Sequence, residues 1–150
     1  MVDCPDFIQN YLQNTDQADV LIGGMKYSEH PPKENALRWY YGSKREYLPA
    51  SVRNQNPYRS LISFNLMIKK AVFDKHPFDE ASIEVEKSAY GHEDTLLGLR
   101  FKEYTISVFH LDNQLVHDYH ETNAGFLANS LIAVEKYVNN PQFRTPEVVE

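Results

Sequence analysis

The chain has 150 residues, of which 42% are hydrophobic and 24% charged, and its formal net charge is −6. A chain of this size and composition can bury a core as one domain and is unlike a disordered protein, and its negative charge argues against a nucleic-acid binder. The single cysteine, Cys4, and the lack of a long apolar run favour a cytoplasmic protein, with peripheral attachment to the inner face of the membrane also compatible.

The first part of the sequence predicts a helix, a strand and a tight turn. Residues 5–12 place apolar side chains on one helical face. The apolar residues 20–22 predict a short buried strand, and Gly23 and Gly24 follow it directly. The two glycines are typical of a turn, and they are also candidates for the close approach of a ligand to the backbone.

The segment 27–58 is polar, rich in aromatic residues and interrupted by prolines. We predict a helix over residues 34–41, closed by Gly42, and long loops elsewhere. Long loops in a compact domain often bind ligands, although a solvated crossover fits the pattern equally well. The candidate ligand-contacting residues in this segment are Arg45, Arg53 and Tyr58.

The second half alternates predicted strands and helices. We expect strands over 61–68, 105–109 and 115–117, a short helix over 69–76, a turn over 77–80, and a helix after Gly91 and His92. The last predicted helix covers residues 123–138, and Pro141 follows it. Its expected apolar stripe consists of Phe126, Leu127, Ser130, Leu131, Val134 and Val138. The fold class predicted from these elements is α/β, a mixed sheet with flanking helices.

Two adjacent acids, Glu93 and Asp94, begin the helix that follows Gly91 and His92. Acidic residues at this position often only complement the helix dipole and cap free amides. Alternatively, one carboxylate points into a cleft and removes a proton from an attacking hydroxyl. The sequence leaves both interpretations open.

Three histidines, His110, His117 and His120, lie within eleven residues, with Asp112 and Asp118 among them. A lone histidine is usually structural, and such clustering makes a metal ligand a stronger alternative, with the structural interpretation still open. On an extended segment, however, residues three apart point to opposite faces, so His117 and His120 should not bind one ion together. One histidine that completes a site built mainly from other segments is the better hypothesis.

Several motifs, in this order, resemble the second half of the catalytic domain of family-2 glycosyltransferases, whose fold is the nucleotide-diphosphosugar GT-A type. They are SFNLMIKKAVFDKHPFDE, YGHEDTLLG and HLDNQLVHDYHETNAGFL, and earlier pieces such as PDFIQNYL and VLIGGMKY agree, so the resemblance covers nearly the whole chain. It implies transfer of a sugar from a nucleotide diphosphate to an acceptor hydroxyl, with inversion, assisted by Mn or Mg.

The resemblance also implies roles for particular residues. Asp94 would be the general base, Glu93 would help to orient the acceptor, and His117 would be the late metal ligand. The residues expected to contact donor or acceptor are Gly23, Gly24, Arg53, Asn65 and His92.

The sequence departs from the family pattern at its start. The nucleotide-binding strand and the DxD motif, whose aspartates hold the metal, have no counterpart, so we expect a partial GT-A fold, the acceptor-side part of the domain, inactive by itself. An open sheet edge is then expected, and it could pair two copies into a homodimer. Two other classes stay open: a non-catalytic module that binds a glycan or a protein, and a metal-dependent hydrolase that uses His117, His120 and Asp118.

Overall fold

A computed structural model describes residues 1–2, 4–77, 93–117 and 121–139 of the chain. The predictions for Gly91, His92, Asp118 and His120, and most of the predicted 77–80 turn, lie outside the described residues. The described part is a mixed α/β structure with a small mixed sheet and flanking helices, which confirms the predicted fold class.

The sheet is built around strand β1, Val20–Ile22. Strand β3, Leu66–Ile68, pairs with it antiparallel, and strand β4, Val108–His110, pairs with it parallel on the other side. A separate two-stranded parallel ladder joins β2, Met25–Lys26, to β5, Leu115–Val116. The 115–117 strand was predicted within the main sheet, and that prediction was wrong, because its partner β2 was not foreseen.

The helices flank these strands. They are α1 (Phe7–Leu12), α2 (Leu37–Arg45), α3 (Ala50–Arg53), α4 (Lys70–Lys75), α5 (Glu93–Glu103) and α6 (Asn123–Asn139). A short 3-10 helix, Ser63–Asn65, leads directly into β3. None of the described helices is both long enough and apolar enough to span a bilayer.

Strand β1 is fully buried because both of its faces are covered. Val20 and Ile22 pack in one apolar cluster with Leu97 and Phe101 of α5. Leu21 packs in a second cluster with Tyr11 of α1. Neighbouring strand residues point to opposite faces, so a run of three apolar residues can serve two cores only when both sides are packed. The predicted four-residue spacing of Leu97 and Phe101 toward the core is confirmed.

Several predicted element boundaries were wrong, among them the start of the 34–41 helix, which begins at Leu37, and the start of the 105–109 strand, which begins at Val108. Gly42 does not close a helix but lies inside α2, where a Cβ atom would collide with the ring of Tyr27. The predicted 61–68 strand begins only at Leu66, because the preceding backbone folds into the 3-10 helix. The Gly42 and Leu66 boundaries depend on tertiary contacts. Gly42 packs against Tyr27, and the 3-10 helix is held by contacts of Ser63 and Asn65 with distant residues, which local sequence does not reveal.

The predicted apolar stripe of α6 is mostly exposed in the described structure. Phe126 is buried, whereas four other members are more than half exposed: Leu127, Leu131, Val134 and Val138. Apolar periodicity therefore predicted the helix correctly and its buried face incorrectly.

A buried cation and a buried histidine connect α3 to β4. The Arg53 side chain donates from Nη1 to His110 Nδ1 at 2.7 Å and from Nη2 to the Leu111 carbonyl oxygen at 2.7 Å. His110 Nε2 lies 2.9 Å from the carbonyl oxygen of Pro57, which can only accept, so Nε2 carries the proton and Nδ1 accepts from Arg53. This arrangement requires a neutral imidazole, and Asp112, 3.7 Å from Arg53, balances the cation.

Stability is expected to fall in mild acid because of His110. Burial, aided by the nearby Arg53 charge, lowers the pKa of His110 from 6.5 to about 4. The unfolded chain therefore takes up a proton between these values and the folded chain does not, so stability present above pH 6.5 is lost as the pH falls toward 4. The loss is on the order of 3 kcal/mol.

Urea unfolding of the wild type and of His110→Gln, from about pH 7 to about pH 4.5, measures this loss. The glutamine variant does not titrate and should show a shallower pH dependence, whatever its absolute stability. Parallel pH dependences in the two proteins would show that His110 is not responsible.

Candidate functional site

A buried polar network lies where the two sheets meet. The Asn65 side chain, 3% exposed, donates through Nδ2 to the carbonyl oxygens of Gly24 and Asn113. Its Oδ1 accepts from the Tyr11 hydroxyl at 2.7 Å. Burial raises the pKa of Tyr11 to about 12, which keeps this hydroxyl protonated as a donor. Asn65 was predicted to contact donor or acceptor, but its amide is fully engaged inside the protein.

The two glycines border the same network. A Cβ atom at Gly23 would lie 2.5 Å from Asn65 Nδ2 and 2.6 Å from the Tyr11 hydroxyl, and it would also collide with the Asn113 carbonyl oxygen. Gly24 has φ of 80°, and a Cβ atom there would meet Arg53 Nη2 at 2.6 Å. The need for glycine at both positions thus follows from close packing and backbone conformation inside the protein.

Arg53, another predicted ligand-binding residue, is 2% exposed. Its guanidinium bonds to the backbone oxygens of Leu48, Ile22 and Leu111 as well as to His110. A cation with this environment holds neighbouring segments together and has almost no surface left for a ligand. Its burial therefore favours a structural role over the predicted one.

Asp94 occupies the first turn of α5, as predicted, and is half-buried. Its Oδ1 accepts a hydrogen bond from the backbone N–H of Ser63 at 3.0 Å. Burial raises the pKa of the Asp94 carboxyl, and this outweighs the hydrogen bonds from Ser63, which act in the opposite direction. A fixed carboxylate with a raised pKa has the properties of a general base, because its proton affinity moves toward neutral pH.

Glu93, the neighbouring acid, is exposed at the start of α5. Its charge contributes to raising the pKa of Asp94. The two acids therefore have different environments, and only Asp94 is held by a contact from another segment in the described structure.

His117 follows β5, and its backbone N–H donates to the Lys26 carbonyl oxygen at 2.8 Å. The imidazole ring contacts two aromatic rings: its centroid is 5.5 Å from that of Tyr27 and 5.6 Å from that of Phe64. Phe64 directly follows Ser63, the residue that binds Asp94. The fold thus connects the two main predicted site residues, Asp94 and His117, through one short turn.

A second layer holds Tyr27 in place. Its hydroxyl donates to Glu46 Oε2, which also accepts from Arg38 Nη2 at 2.8 Å. The Arg38 guanidinium lies over the rings of Tyr27, Tyr41 and Phe126, at 5.6 to 6.0 Å from their centroids. Cation–π contacts of this kind are strongest when the cation is removed from water, and Arg38 is 8% exposed. Sequence reasoning missed Tyr27 and Phe64 as parts of the site, because nothing in their local pattern relates them to His117.

The described residues do not by themselves fit a metal centre. Over 1–2, 4–77, 93–117 and 121–139, no three His, Cys, Asp or Glu side chains are grouped so that they could hold an ion. Divalent ions need several oxygen or nitrogen ligands, so His117 alone does not make a site. His117 as a metal ligand, and Mn or Mg as cofactor, stay predictions.

No model of a known protein family matches the chain, and no curated protein matches it significantly.

The network around Asn65 should dominate local stability. We expect Asn65→Ala to lower the free energy of unfolding by on the order of 3 kcal/mol, because it removes three buried side-chain hydrogen bonds. The Asn113 carbonyl oxygen then loses its partner, whereas the Tyr11 hydroxyl keeps the Asn65 backbone oxygen and the Gly24 oxygen keeps the Leu115 amide. Gln55→Ala, at an exposed position, is the control and should change stability by less than about 0.5 kcal/mol. Urea denaturation measures both, and equal stabilities would contradict the assigned role of Asn65.

Proposed function

We propose that this chain is the acceptor-side part of an inverting glycosyltransferase and that Asp94 is the general base that activates the acceptor hydroxyl. The observation that carries the proposal is the environment of Asp94: a half-buried carboxyl with a raised pKa, anchored by the Ser63 amide at the start of α5. The ordered series of motifs around SFNLMIKK, GHED and HLDNQLVH supports it.

The chemistry assigned to the chain is proton removal. With Oδ1 held by Ser63, the second oxygen, Oδ2, would accept the hydroxyl proton as the acceptor oxygen attacks the donor sugar. Fixing one oxygen in advance reduces the freedom lost when the hydroxyl approaches. Among the described residues only His117 is proposed to contact a Mn or Mg ion, and acceptor activation does not depend on it.

A second candidate function is a non-catalytic glycan-binding module. The observation that favours it is the row of rings formed by Tyr27, His117 and Phe64, of which Phe64 is 49% exposed. In that case the acids at the start of α5 would act only as helix-end residues.

The variant Asp94→Asn separates the two functions. Asn keeps an oxygen for the Ser63 amide, so stability should barely change, but it cannot accept the proton. In the complete enzyme, turnover should fall by about 100- to 10,000-fold, and the acidic limb of the pH–rate profile should be lost. Donor affinity should stay near that of the wild type.

Glu93→Gln is the matched control, because Glu93 is the adjacent, exposed acid. It should lower turnover by less than about tenfold. If Asp94→Asn keeps more than about a tenth of wild-type turnover, Asp94 is not the base.

We also propose that the open edge of the sheet pairs two copies of the chain. In the described sheet β3 and β4 are the edge strands, and the backbone groups on an open edge favour pairing with another strand. Light scattering should then give a particle of twice the 17.4 kDa chain mass. The variant Leu131→Glu, at a 71% exposed position of α6, should leave the dimer intact. A monomer, or a dimer lost in Leu131→Glu, would contradict pairing through the edge.

A further inference from the structure

The three successive residues of the 3-10 helix Ser63–Asn65 make contacts with three different parts of the protein. In a 3-10 helix successive side chains point about 120° apart. The Ser63 amide binds Asp94, and the Asn65 side chain is fixed in the buried network. The ring of Phe64, between them, is held against His117 and is 49% exposed.

The exposed ring of Phe64 is anchored through its neighbouring residues and through one ring contact. Its backbone is fixed on both sides by Ser63 and Asn65, and its ring packs at a 48° tilt on the imidazole of His117. The Tyr27 ring also packs on His117, with ring centroids 5.5 Å apart, and Glu46 and Arg38 bind Tyr27 in turn. A flat apolar surface that is rigid before a ligand arrives loses little freedom on binding.

We propose that Phe64 is the platform on which the acceptor binds and that the acceptor is a pyranoside sugar. This inference rests on the proposed function, because it takes Asp94 as the base for the acceptor hydroxyl. A pyranoside has an apolar face of C–H bonds and an edge of hydroxyl groups. The negative face of an aromatic ring attracts the C–H face of the sugar. The Asp94 carboxylate and the His117 imidazole are groups that can form hydrogen bonds with its hydroxyls.

The position of the ring favours the acceptor over the donor. Phe64 follows directly the residue that anchors Asp94, and neighbouring Cα atoms are about 3.8 Å apart. A sugar stacked on Phe64 would therefore lie one residue along the chain from the amide that fixes the base, and the proposal places its hydroxyls toward Asp94. A lipid chain would require a longer apolar surface than this single ring.

The test is a titration of the 150-residue chain, followed by amide NMR, with the methyl β-glycosides of glucose, galactose and N-acetylglucosamine. At least one glycoside should give saturable shifts at Ser63, Phe64 and His117. Phe64→Ala should weaken this binding at least about tenfold, and Phe64→Tyr should stay within about threefold of wild type. Phe73→Ala, which removes a 38% exposed ring from α4, is the matched control and should bind like wild type.

Phe64→Leu is the second variant if Phe64→Ala fails to fold. It keeps apolar bulk but lacks a flat aromatic face, so it should also bind more weakly than wild type. The proposal is overturned if no glycoside saturates, if the alanine or leucine variant binds as tightly as wild type, or if uridine monophosphate shifts these amides and no glycoside does.

This experiment separates the platform from the reaction because binding requires no turnover. Failure to bind glycosides, together with a collapse of turnover in Asp94→Asn, would remove the sugar platform and keep the transferase. Glycoside binding at Phe64 with an active Asp94→Asn variant would keep the platform and remove Asp94 as the base.

Discussion

The side-chain amide of Asn65 connects segments that are far apart in the sequence. Through the carbonyl oxygens of Gly24 and Asn113 and the hydroxyl of Tyr11, it joins α1, the turn after β1 and the connection between β4 and β5. Each of these groups is costly to bury without a partner, so one amide that satisfies three of them fixes their relative positions. Glycine at position 23 is required because this network leaves no room for a Cβ atom.

The candidate site depends on this network because two of its residues directly precede Asn65 in the chain. Because Asn65 is fixed, the two residues before it are fixed as well: the Ser63 amide meets Asp94, and the Phe64 ring meets His117. Their arrangement follows from the 3-10 helix, whose buried side is fixed by the Asn65 side chain and whose exposed side carries the Phe64 ring. Functional groups need a rigid support of this kind.

Two buried arginines perform a similar supporting task. Arg53 joins α3 to β4 through a neutral His110, and Arg38 holds Tyr27 through Glu46 and three aromatic rings. In both cases a carboxylate, Asp112 or Glu46, lies near the cation. Paired cations of this kind position segments accurately, although their burial adds little net stability.

The sequence by itself determined the order and type of most elements, because apolar periodicity and turn residues are local signals. It predicted the buried strand Val20–Ile22, the helix that begins at Glu93, and the spacing of Leu97 and Phe101 toward the core. Residue types singled out the acid pair at 93–94 and the late histidines, and the family resemblance implied Asp94 and His117 among them. Only the tertiary structure decided that Gly42 lies inside a helix, that residues 63–65 form a 3-10 turn, and that Arg53 and Asn65 face inward. These features result from contacts between residues such as Tyr27, Gly24 and Asn113 that are distant in sequence, and no local pattern encodes which distant partners will meet.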